Sequence, residues 1–388
     1  MKKLAIVITH PIQYYAPWFK LLAERGNVQL KVFYTWSQAA ETVKDKTFGR
    51  DIKWDIPLLE GYDYEFVENV SKKPGSHHFF GMDCPSLIPK LKDFSPDAIL
   101  FFGWNFKSHL KAMRYFHGRI PVWFRGDSTL LDETGGFKTK LRRLVLKTVY
   151  RYVDKAFYVG KANKAYFLKH GLKETQLIKT PHAIDNIRFD EDSDKKYEEK
   201  AKQWREELGY KEQDILLVYA GKLESVKQIQ LLIDAFKIAI KKIHNVKLLI
   251  VGNGPLESNL KASASKIDKI QFLPFQNQTK MPLLYRMSNV FCLTSKSETW
   301  GLAVNEAMAS SRPVIVSNRV GCAADMVLDK KNGFIFNHSD RQELAAIIEN
   351  LTLEKLNDMK PEAYKTALKF SFLNIVKTIE NQLDEIYA

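Results

Sequence analysis

Short apolar runs recur along the chain, and most of them end in a polar or glycine-containing break that precedes a helical segment. Runs of this length that are apolar throughout are typical of central strands in a parallel sheet covered on both faces. The runs lie at 4–9, 28–34, 98–102, 121–124, 155–159, 177–180, 214–220, 247–252, 270–275 and 289–294. Their order predicts an α/β fold of doubly wound parallel sheets, in which ligands bind at the carboxyl ends of the strands.

The length of 388 residues is enough for two ordinary domains. A highly charged segment, residues 190–214, follows the first group of apolar runs. We interpret this segment as the approach to a second domain. We therefore expect one domain over residues 1–189 and another over residues 190–370.

The cysteines and the apolar stretches bear on the compartment. Cys84, Cys292 and Cys322 are an odd number without a Cys-x-x-Cys pair, which favours a reducing cytoplasm and no structural metal. No stretch approaches the roughly 18 consecutive apolar residues of a membrane span. The amino-terminal run has the length of a strand and lacks a cleavage site, so a signal peptide is not expected. We expect a cytoplasmic protein, free or at the inner face of the cell membrane.

The net charge is +14, from 59 basic and 45 acidic residues. Such an excess fits nucleic acid, an anionic membrane or acidic small molecules. The chain contains no recognisable nucleic-acid-binding module, so that function would depend on charge alone and we do not expect it. Residues 138–151 predict a basic amphipathic helix, which is either an ordinary solvated face or a patch for a membrane surface.

Two carboxylates in the stretch 297–309 predict a ligand site. Glu298 and Glu306 are eight positions apart, and Trp300-Gly301-Leu302 falls at the turn between a strand and a helix. Free N–H groups and the helix dipole favour an anion at such a turn. Because a carboxylate can accept two hydroxyl hydrogen bonds, the pair suits a sugar joined to a phosphate. The alternative is a surface helix with ordinary solvated glutamates.

Polar side chains also follow other predicted strands. Gly221, Lys222 and Lys227 come after the run 214–220, and two ammonium groups beside a glycine suit a diphosphate, although lysines are more often simply solvated. Candidates for the first domain are His10, Gln13, Asn105, Arg125 and Asp127, which follow three of its strands. The alternatives there are a turn packed by Pro11 and a structural Arg125–Asp127 pair.

The ordered pattern Glu298-x7-Glu306, followed by Ser311-Arg-Pro-Val-Ile-Val-Ser317 and Gly321, resembles the retaining glycosyltransferases of family 4. The resemblance implies a GT-B fold: two Rossmann-like domains facing a cleft, with a closing helix at 371–388 that crosses back onto the first domain. It also assigns roles to side chains and backbone groups of the second domain.

By that resemblance, Glu298 binds hydroxyls of the donor sugar and Glu306 binds those of the ribose. The backbone from Thr299 to Leu302 holds the sugar and the diphosphate, and the segment around Pro274 flanks the base. Lys227 matches a family lysine, whereas Lys222 replaces a family arginine and loses its bidentate fork.

The chain departs from the family where many relatives carry a histidine near a strand end. This chain has Arg125-Gly126-Asp127 there, so Asp127 could bind or orient an acceptor hydroxyl and Arg125 could pair with it or with phosphate. We interpret His182, in the interdomain segment, as structural.

The resemblance implies a retaining hexosyltransferase of cell-surface polysaccharide biosynthesis. Its donor would be a UDP- or GDP-sugar and its acceptor a glycan or a lipid-linked hydroxyl. We expect no cofactor and no metal, because Lys222, Lys227 and the helix N-terminus would neutralise the leaving phosphate. The alternatives are another GT-B enzyme such as a sugar-nucleotide epimerase, a non-catalytic sugar-nucleotide-binding subunit, and a nucleic-acid-binding protein.

Overall fold

The chain divides into two units, each built around a parallel sheet. The computed structural model describes residues 1–39, 43–45, 50–52, 55–191 and 194–386. The first unit comprises Met1–Val43, Ile56–His182 and Phe372–Ala388, and the second comprises Lys44–Asp55 and Ala183–Ser371.

The division falls after His182 rather than at residue 189, where the sequence placed it. The reason is that the segment following His182 already contacts the second unit. Ile184 forms a parallel bridge with Ser371, and the side-chain amide of Asn186 donates to the carbonyls of Ala367 and Phe370, at 3.2 Å each.

The first sheet has seven strands in the order β5-β2-β1-β6-β7-β8-β9, and the order changes direction between β1 and β6. Two further three-residue strands, β3 and β4, pair with each other. In the described part of the chain these strands are β1 (Lys2–Ile8), β2 (Val28–Tyr34), β3 (Val43–Asp45), β4 (Arg50–Ile52), β5 (Asp63–Phe66), β6 (Ala98–Phe102), β7 (Val122–Arg125), β8 (Lys155–Tyr158) and β9 (Leu177–Lys179).

The second sheet has six parallel strands in the order β12-β11-β10-β13-β14-β15, with its change of direction between β10 and β13. The strands are β10 (Ile215–Ala220), β11 (Val246–Val251), β12 (Ile270–Leu273), β13 (Val290–Leu293), β14 (Val314–Ser317) and β15 (Gly333–Phe336). In a doubly wound sheet such a change of direction opens a crevice at the carboxyl ends of the strands.

Helices connect the strands of both sheets. They are α1 (Ala16–Glu24), α2 (Leu87–Phe94), α3 (Lys107–Phe116), α4 (Phe137–Tyr150), α5 (Lys161–Lys169), α6 (Asn186–Phe189), α7 (Tyr197–Glu207), α8 (Ile229–Ala239), α9 (Glu257–Ala264), α10 (Met281–Met287), α11 (Leu302–Ala309), α12 (Ala323–Met326), α13 (Arg341–Glu349), α14 (Leu353–Leu368) and α15 (Phe372–Asp384). The last helix, α15, belongs to the first unit and packs on α1, where Glu380 accepts a hydrogen bond of 2.8 Å from Arg25 Nε.

The predicted fold class, two Rossmann-like α/β domains, is confirmed. The apolar runs form strands because both of their faces are buried, as at Leu4–Ile8 and 98–101, whose residues are almost completely inaccessible. The elements that the sequence did not predict include β5, an edge strand whose side chains are exposed or half-buried, the strands β14 and β15, and α14, whose helical pattern contains Pro361.

A buried histidine links two loops at the carboxyl edge of the first sheet. His109 in α3 is inaccessible to solvent; its Nδ1 lies 2.9 Å from the Gly103 carbonyl and its Nε2 lies 2.8 Å from Thr35 Oγ1. Gly103 O can only accept, so Nδ1 carries the proton and Thr35 donates to Nε2. Burial lowers the pKa of His109 from 6.5 to about 4.

We predict that His109 makes folding stability fall on acidification. Below pH 6.5 the unfolded chain binds a proton at this position that the folded protein refuses until about pH 4. The stability contributed by the neutral imidazole is therefore complete above pH 6.5 and declines towards pH 4, by about 3 kcal/mol in all. Urea unfolding of the wild type and of His109→Gln should show a stability difference that shrinks over this range; a constant difference would contradict the prediction.

Candidate functional site

A lysine and a glutamate meet where the second sheet changes direction. Lys227 follows β10 and Glu298 follows β13, and Lys227 Nζ donates to Glu298 Oε2. Both side chains are 21% exposed. The two loops are also joined through their backbones, since Thr294 Oγ1 donates to the Lys227 carbonyl and the Lys296 N–H donates to the Val226 carbonyl, at 2.9 Å each.

The turn between β13 and α11 brings a helix N-terminus to the same edge. Gly301 has φ 100°, and a Cβ there would lie 2.9 Å from Val320 Cγ1, so the turn requires glycine. The helix begins at Leu302, and the first N–H groups of a helix have no carbonyl partner within it. Together with the helix dipole they favour an anion beside Lys227.

The neighbouring side chains fix this turn. The indole of Trp300 is buried, and its Nε1 donates to Asn305 Oδ1 at 2.8 Å. Trp300 can therefore bind a ligand through its backbone but not through its side chain. Thr299 is exposed, and a Cβ on Gly321 would lie only 1.9 Å from the Thr299 carbonyl oxygen. Backbone therefore packs directly on backbone here, which leaves the loop little freedom.

Glu306 lies one turn inside α11 and is only 2% exposed. The hydroxyl of Tyr285 donates to its Oε2 at 2.7 Å. Glu306 is therefore not an ordinary solvated glutamate, because its side chain is buried and hydrogen-bonded to Tyr285. The two glutamates differ in environment although they share one short stretch of sequence.

The loops after β10 and β11 approach each other through glycines. A Cβ on Gly252 would lie 2.0 Å from the Gly221 carbonyl oxygen, and one on Gly254 would lie 2.6 Å from the Leu223 carbonyl oxygen. Lys222 is half-buried in this loop, and its carbonyl accepts a hydrogen bond of 2.8 Å from Tyr219. The glycines let the loop carrying Lys222 and Lys227 sit close to its neighbour.

The segment containing Pro274 follows β12 and is fixed to the loop after β11. The Phe275 N–H donates to Asn253 Oδ1 at 3.0 Å, and Pro274 itself is exposed. Pro274 therefore stands at the carboxyl edge of the second sheet, the edge at which Lys222, Lys227 and Glu298 also stand.

In the first domain Arg125 and Asp127 differ in burial, although they lie close enough for the Asp127 carboxylate to oppose the lowering of the Arg125 pKa by burial. Arg125 is 2% exposed, and its guanidinium donates to the carbonyls of Thr180 and Pro181 at 2.7 and 3.4 Å. Of the roles that the sequence left open, a structural one fits this position, because the side chain lies in the interior and holds the segment after β9. The side chain of Asp127 is 46% exposed at the end of β7.

His182, which the sequence analysis set aside as structural, lies beside Asp127. Its Nε2 is 3.9 Å from Asp127 Oδ2, and its ring stacks on Tyr15 with a centroid distance of 6.1 Å. Burial lowers the pKa of His182 and the carboxylate of Asp127 opposes that shift. No local pattern in the sequence indicates this pair, because the two residues come from segments that meet only in the folded sheet.

The remaining candidates of the first domain lie at the same sheet edge. His10 and Gln13 are in the loop after β1, and Asn105 is exposed after the adjacent β6. Burial lowers the pKa of His10 to about 4, and its Nδ1 lies 2.9 Å from Thr9 Oγ1. His10 is therefore neutral near pH 7.

Arg319, in the loop after β14, is a further cation that the sequence analysis missed. Its carbonyl accepts the Glu298 N–H at 3.1 Å, and its Nε donates to the Lys296 carbonyl at 3.3 Å. The sequence offered one weak indication of this residue, a basic side chain shortly after the segment 311–317. That indication is weak because the sequence alone does not show where the strand in this segment ends.

Two features of the described residues bear on metal binding and on membrane insertion. Within those ranges no three His, Cys, Asp or Glu side chains are grouped so that they could hold a metal ion. None of the helices found in those ranges combines the length and apolar character needed to cross a bilayer. Whether the reaction needs a metal stays a prediction.

Comparison with known proteins gives the family. A family model described as "Glycosyl transferases group 1" matches residues 200–366. The capsular polysaccharide biosynthesis glycosyltransferase CapM of Staphylococcus aureus is 30% identical over 341 residues, which cover 76% of this chain and 84% of CapM. The chain belongs to the group 1 glycosyltransferases. The resemblance to family 4 is thereby confirmed.

The extent of the likeness differs among relatives of this glycosyltransferase. The chain spans half or less of the length of several curated glycosyltransferases, among them EpsD of Bacillus subtilis, 30% identical over 47% of this chain and 48% of EpsD. A crystal structure of HepE from Anabaena in complex with UDP and glucose superposes with a TM-score of 0.72 at 19% identity, covering 99% of this chain and 100% of that one. At this identity the likeness shows the fold alone, which is the predicted GT-B fold.

We predict that Lys227→Ala weakens binding of a nucleoside diphosphate by about tenfold or more, because it removes a cation and leaves the Glu298 carboxylate uncompensated beside the anion. Calorimetric titration with UDP and GDP measures the effect. The control is Lys241→Ala, which removes an exposed lysine after α8 and should leave the affinity unchanged. Equal affinities for the wild type and Lys227→Ala would remove Lys227 from the phosphate site.

Proposed function

We propose that this chain is a retaining glycosyltransferase that moves a sugar from a UDP- or GDP-sugar to a hydroxyl of a glycan or of a lipid-linked acceptor, in the biosynthesis of a cell-surface polysaccharide. The observation that carries the proposal is the Lys227–Glu298 pair at the switch point of the second sheet, beside the N-terminus of α11. It combines a cation and helix N–H groups for a diphosphate with a carboxylate for sugar hydroxyls.

Binding of the donor would exchange the partners of this pair. Lys227 would turn from Glu298 to the diphosphate, and Glu298 would accept hydrogen bonds from hydroxyls of the sugar. Lys222 and the N–H groups from Thr299 to Leu302 would add positive potential around the phosphates. Once the donor is bound, Lys227, Lys222 and these N–H groups would already surround the phosphates. They would therefore stabilise the charge that develops on the leaving phosphate without further reorganisation.

The buried Glu306 would bind the ribose. Tyr285 donates to one of its carboxylate oxygens and thereby orients the group, which suits a fixed pair of hydroxyls. The exposed segment at Pro274 would flank the base. These assignments come from the family pattern, and the common sheet edge of the groups supports them.

The acceptor hydroxyl would bind at Asp127, which His182 holds from the interior. In the reaction the bond between the anomeric carbon and the phosphate oxygen breaks, and the acceptor oxygen bonds to that carbon on the same face. The acceptor proton passes to the leaving phosphate oxygen. The protein contributes position and charge, which Lys222, Lys227 and the N-terminus of α11 supply without a metal or a cofactor.

The similar proteins support the choice of substrates. HepE is described in complex with UDP and glucose, which favours a UDP-sugar as donor. CapM is described as a glycosyltransferase of capsular polysaccharide biosynthesis, which favours a glycan of the cell surface as product.

We predict that UDP- or GDP-sugar turnover continues in the presence of a chelator and that Glu298→Ala lowers it by about a hundredfold or more, because the carboxylate positions the transferred sugar. Released nucleotide and the anomeric configuration of the product, followed by NMR, measure the outcome. The control is Glu354→Ala, an exposed glutamate at the start of α14.

Loss of activity with the chelator, or an inverted product, would overturn the metal-free retaining mechanism. Nucleotide release that needs no acceptor would favour an epimerase, and the absence of any donor turnover would favour a non-catalytic binding subunit.

A further inference from the structure

Helix α4 has a second apolar face that points away from the core. Four large apolar side chains on it are exposed at positions i, i+4, i+7 and i+8, which fall on one side of a helix. They are Phe137 (80% exposed), Leu141 (51%), Leu144 (64%) and Val145 (45%). The side facing the core is formed instead by the buried Leu146, Val149 and Tyr150. A contiguous exposed stripe of this kind marks an interaction surface.

Basic side chains border this stripe on both sides. With about 100° of rotation per residue, Lys138 falls along one border and Lys140 and Lys147 along the other. All three are exposed, and the sequence has no acidic residue from 137 to 151. The helix is therefore apolar along its outer midline and cationic along both margins.

Contacts with the rest of the first domain hold the helix in this orientation. Arg143 donates to Glu133 at 2.5 Å, and Arg142 donates to the Tyr166 hydroxyl at 3.1 Å. Because these contacts and the buried face of α4 fix its rotation, the outer stripe is presented as a preformed surface.

We propose that the outer face of α4 docks the first domain on an anionic lipid bilayer. An amphipathic helix lying in the interface inserts its apolar side to the depth of the headgroups and the upper acyl chains, and its flanking lysines and arginines reach the lipid phosphates. An apolar midline with cations on both margins matches that arrangement, and the net charge of +14 adds long-range attraction to an anionic surface.

A second copy of the chain fits this face less well. Two α4 faces placed against each other would oppose lysine and arginine across the contact, since neither helix carries an acidic side chain to pair with them.

The docking surface also bears on the acceptor, and this step rests on the proposed function. Helix α4 connects β7 to the parallel strand β8 and runs back along the sheet, so its N-terminus, where Phe137 is exposed, lies towards the carboxyl edge of the first sheet. Asp127 is at the same edge. A bilayer seated on α4 would therefore bring a lipid-linked hydroxyl to the side of the domain that carries Asp127.

Flotation of the full-length chain with vesicles of phosphatidylcholine, with and without phosphatidylglycerol, tests the docking. We expect binding to the vesicles that contain phosphatidylglycerol and much less to phosphatidylcholine alone. Leu141→Ser/Leu144→Ser and Lys138→Glu/Lys140→Glu should each weaken binding by about tenfold or more.

Matched control variants distinguish a specific role of the outer face of α4 from the general effect of removing apolar or basic side chains. Ile187→Ser/Leu368→Ser removes two exposed apolar side chains of the second unit, and Lys241→Glu/Lys266→Glu makes the same change in charge there; both should bind vesicles like the wild type. Thermal unfolding followed by circular dichroism, measured on every variant, reports the folding of the first unit, and affinity for UDP tests the proposed function separately from the docking.

Unchanged thermal unfolding with lost vesicle binding in the α4 variants supports the proposal, whether or not the sugar transfer is found. The proposal is overturned if the wild type does not bind anionic vesicles or if the α4 and control variants bind equally. It is also overturned if light scattering shows a dimer that Leu141→Ser/Leu144→Ser dissociates while vesicle binding is unchanged, because a second copy would then cover the face.

Discussion

The ion pair between Lys227 and Glu298 is the interaction on which the candidate donor site depends. The two side chains come from loops after neighbouring strands, β10 and β13, and they meet at the point where the sheet changes direction. Because both are largely buried, separating them without new partners would leave uncompensated charges. A sugar nucleotide offers each of them such a partner, a phosphate for the ammonium group and hydroxyls for the carboxylate. The pair thus holds the site in a charged, preorganised state that a donor can enter by exchange.

Close packing of the backbone fixes the positions of the loops that carry Lys227 and Glu298. At Gly252 and Gly321 a side chain would collide with the carbonyl oxygen of an adjacent loop, so the loops that carry the charges rest directly on one another. Gly301 turns the chain into α11 and places the helix N-terminus beside the lysine. Close packing of this kind holds charged groups in one arrangement, which is what stabilisation of a leaving phosphate requires.

Much of this could be predicted from the sequence, for physical reasons that differ by residue. Strands buried on both faces are continuous apolar runs, so most strands and the fold class were evident. The exposed edge strand β5 was not, and β14 and β15 were not predicted either. Lys227 and Glu298 were found from their positions after predicted strands, and the family pattern assigned their roles. Contacts between distant segments, which no local pattern encodes, determine the burial of Glu306, the bonding of Arg125 to the segment after β9 and the approach of His182 to Asp127. Residues 138–151 predicted a basic helix, but the exposure of Leu141 and Leu144 was known only once the core-facing side had been fixed.

We propose that a nucleotide-sugar donor breaks the contact between Lys227 and Glu298. Lys227 then binds the diphosphate, and Glu298 binds hydroxyls of the sugar. The most direct measurement is a crystal structure of the chain with a UDP-sugar that it binds. We predict that the ion pair is open, with Lys227 Nζ and the first N–H groups of α11 at hydrogen-bonding distance from phosphate oxygens and Glu298 at that distance from sugar hydroxyls. A donor bound elsewhere, with Lys227 and Glu298 still paired, would contradict the account.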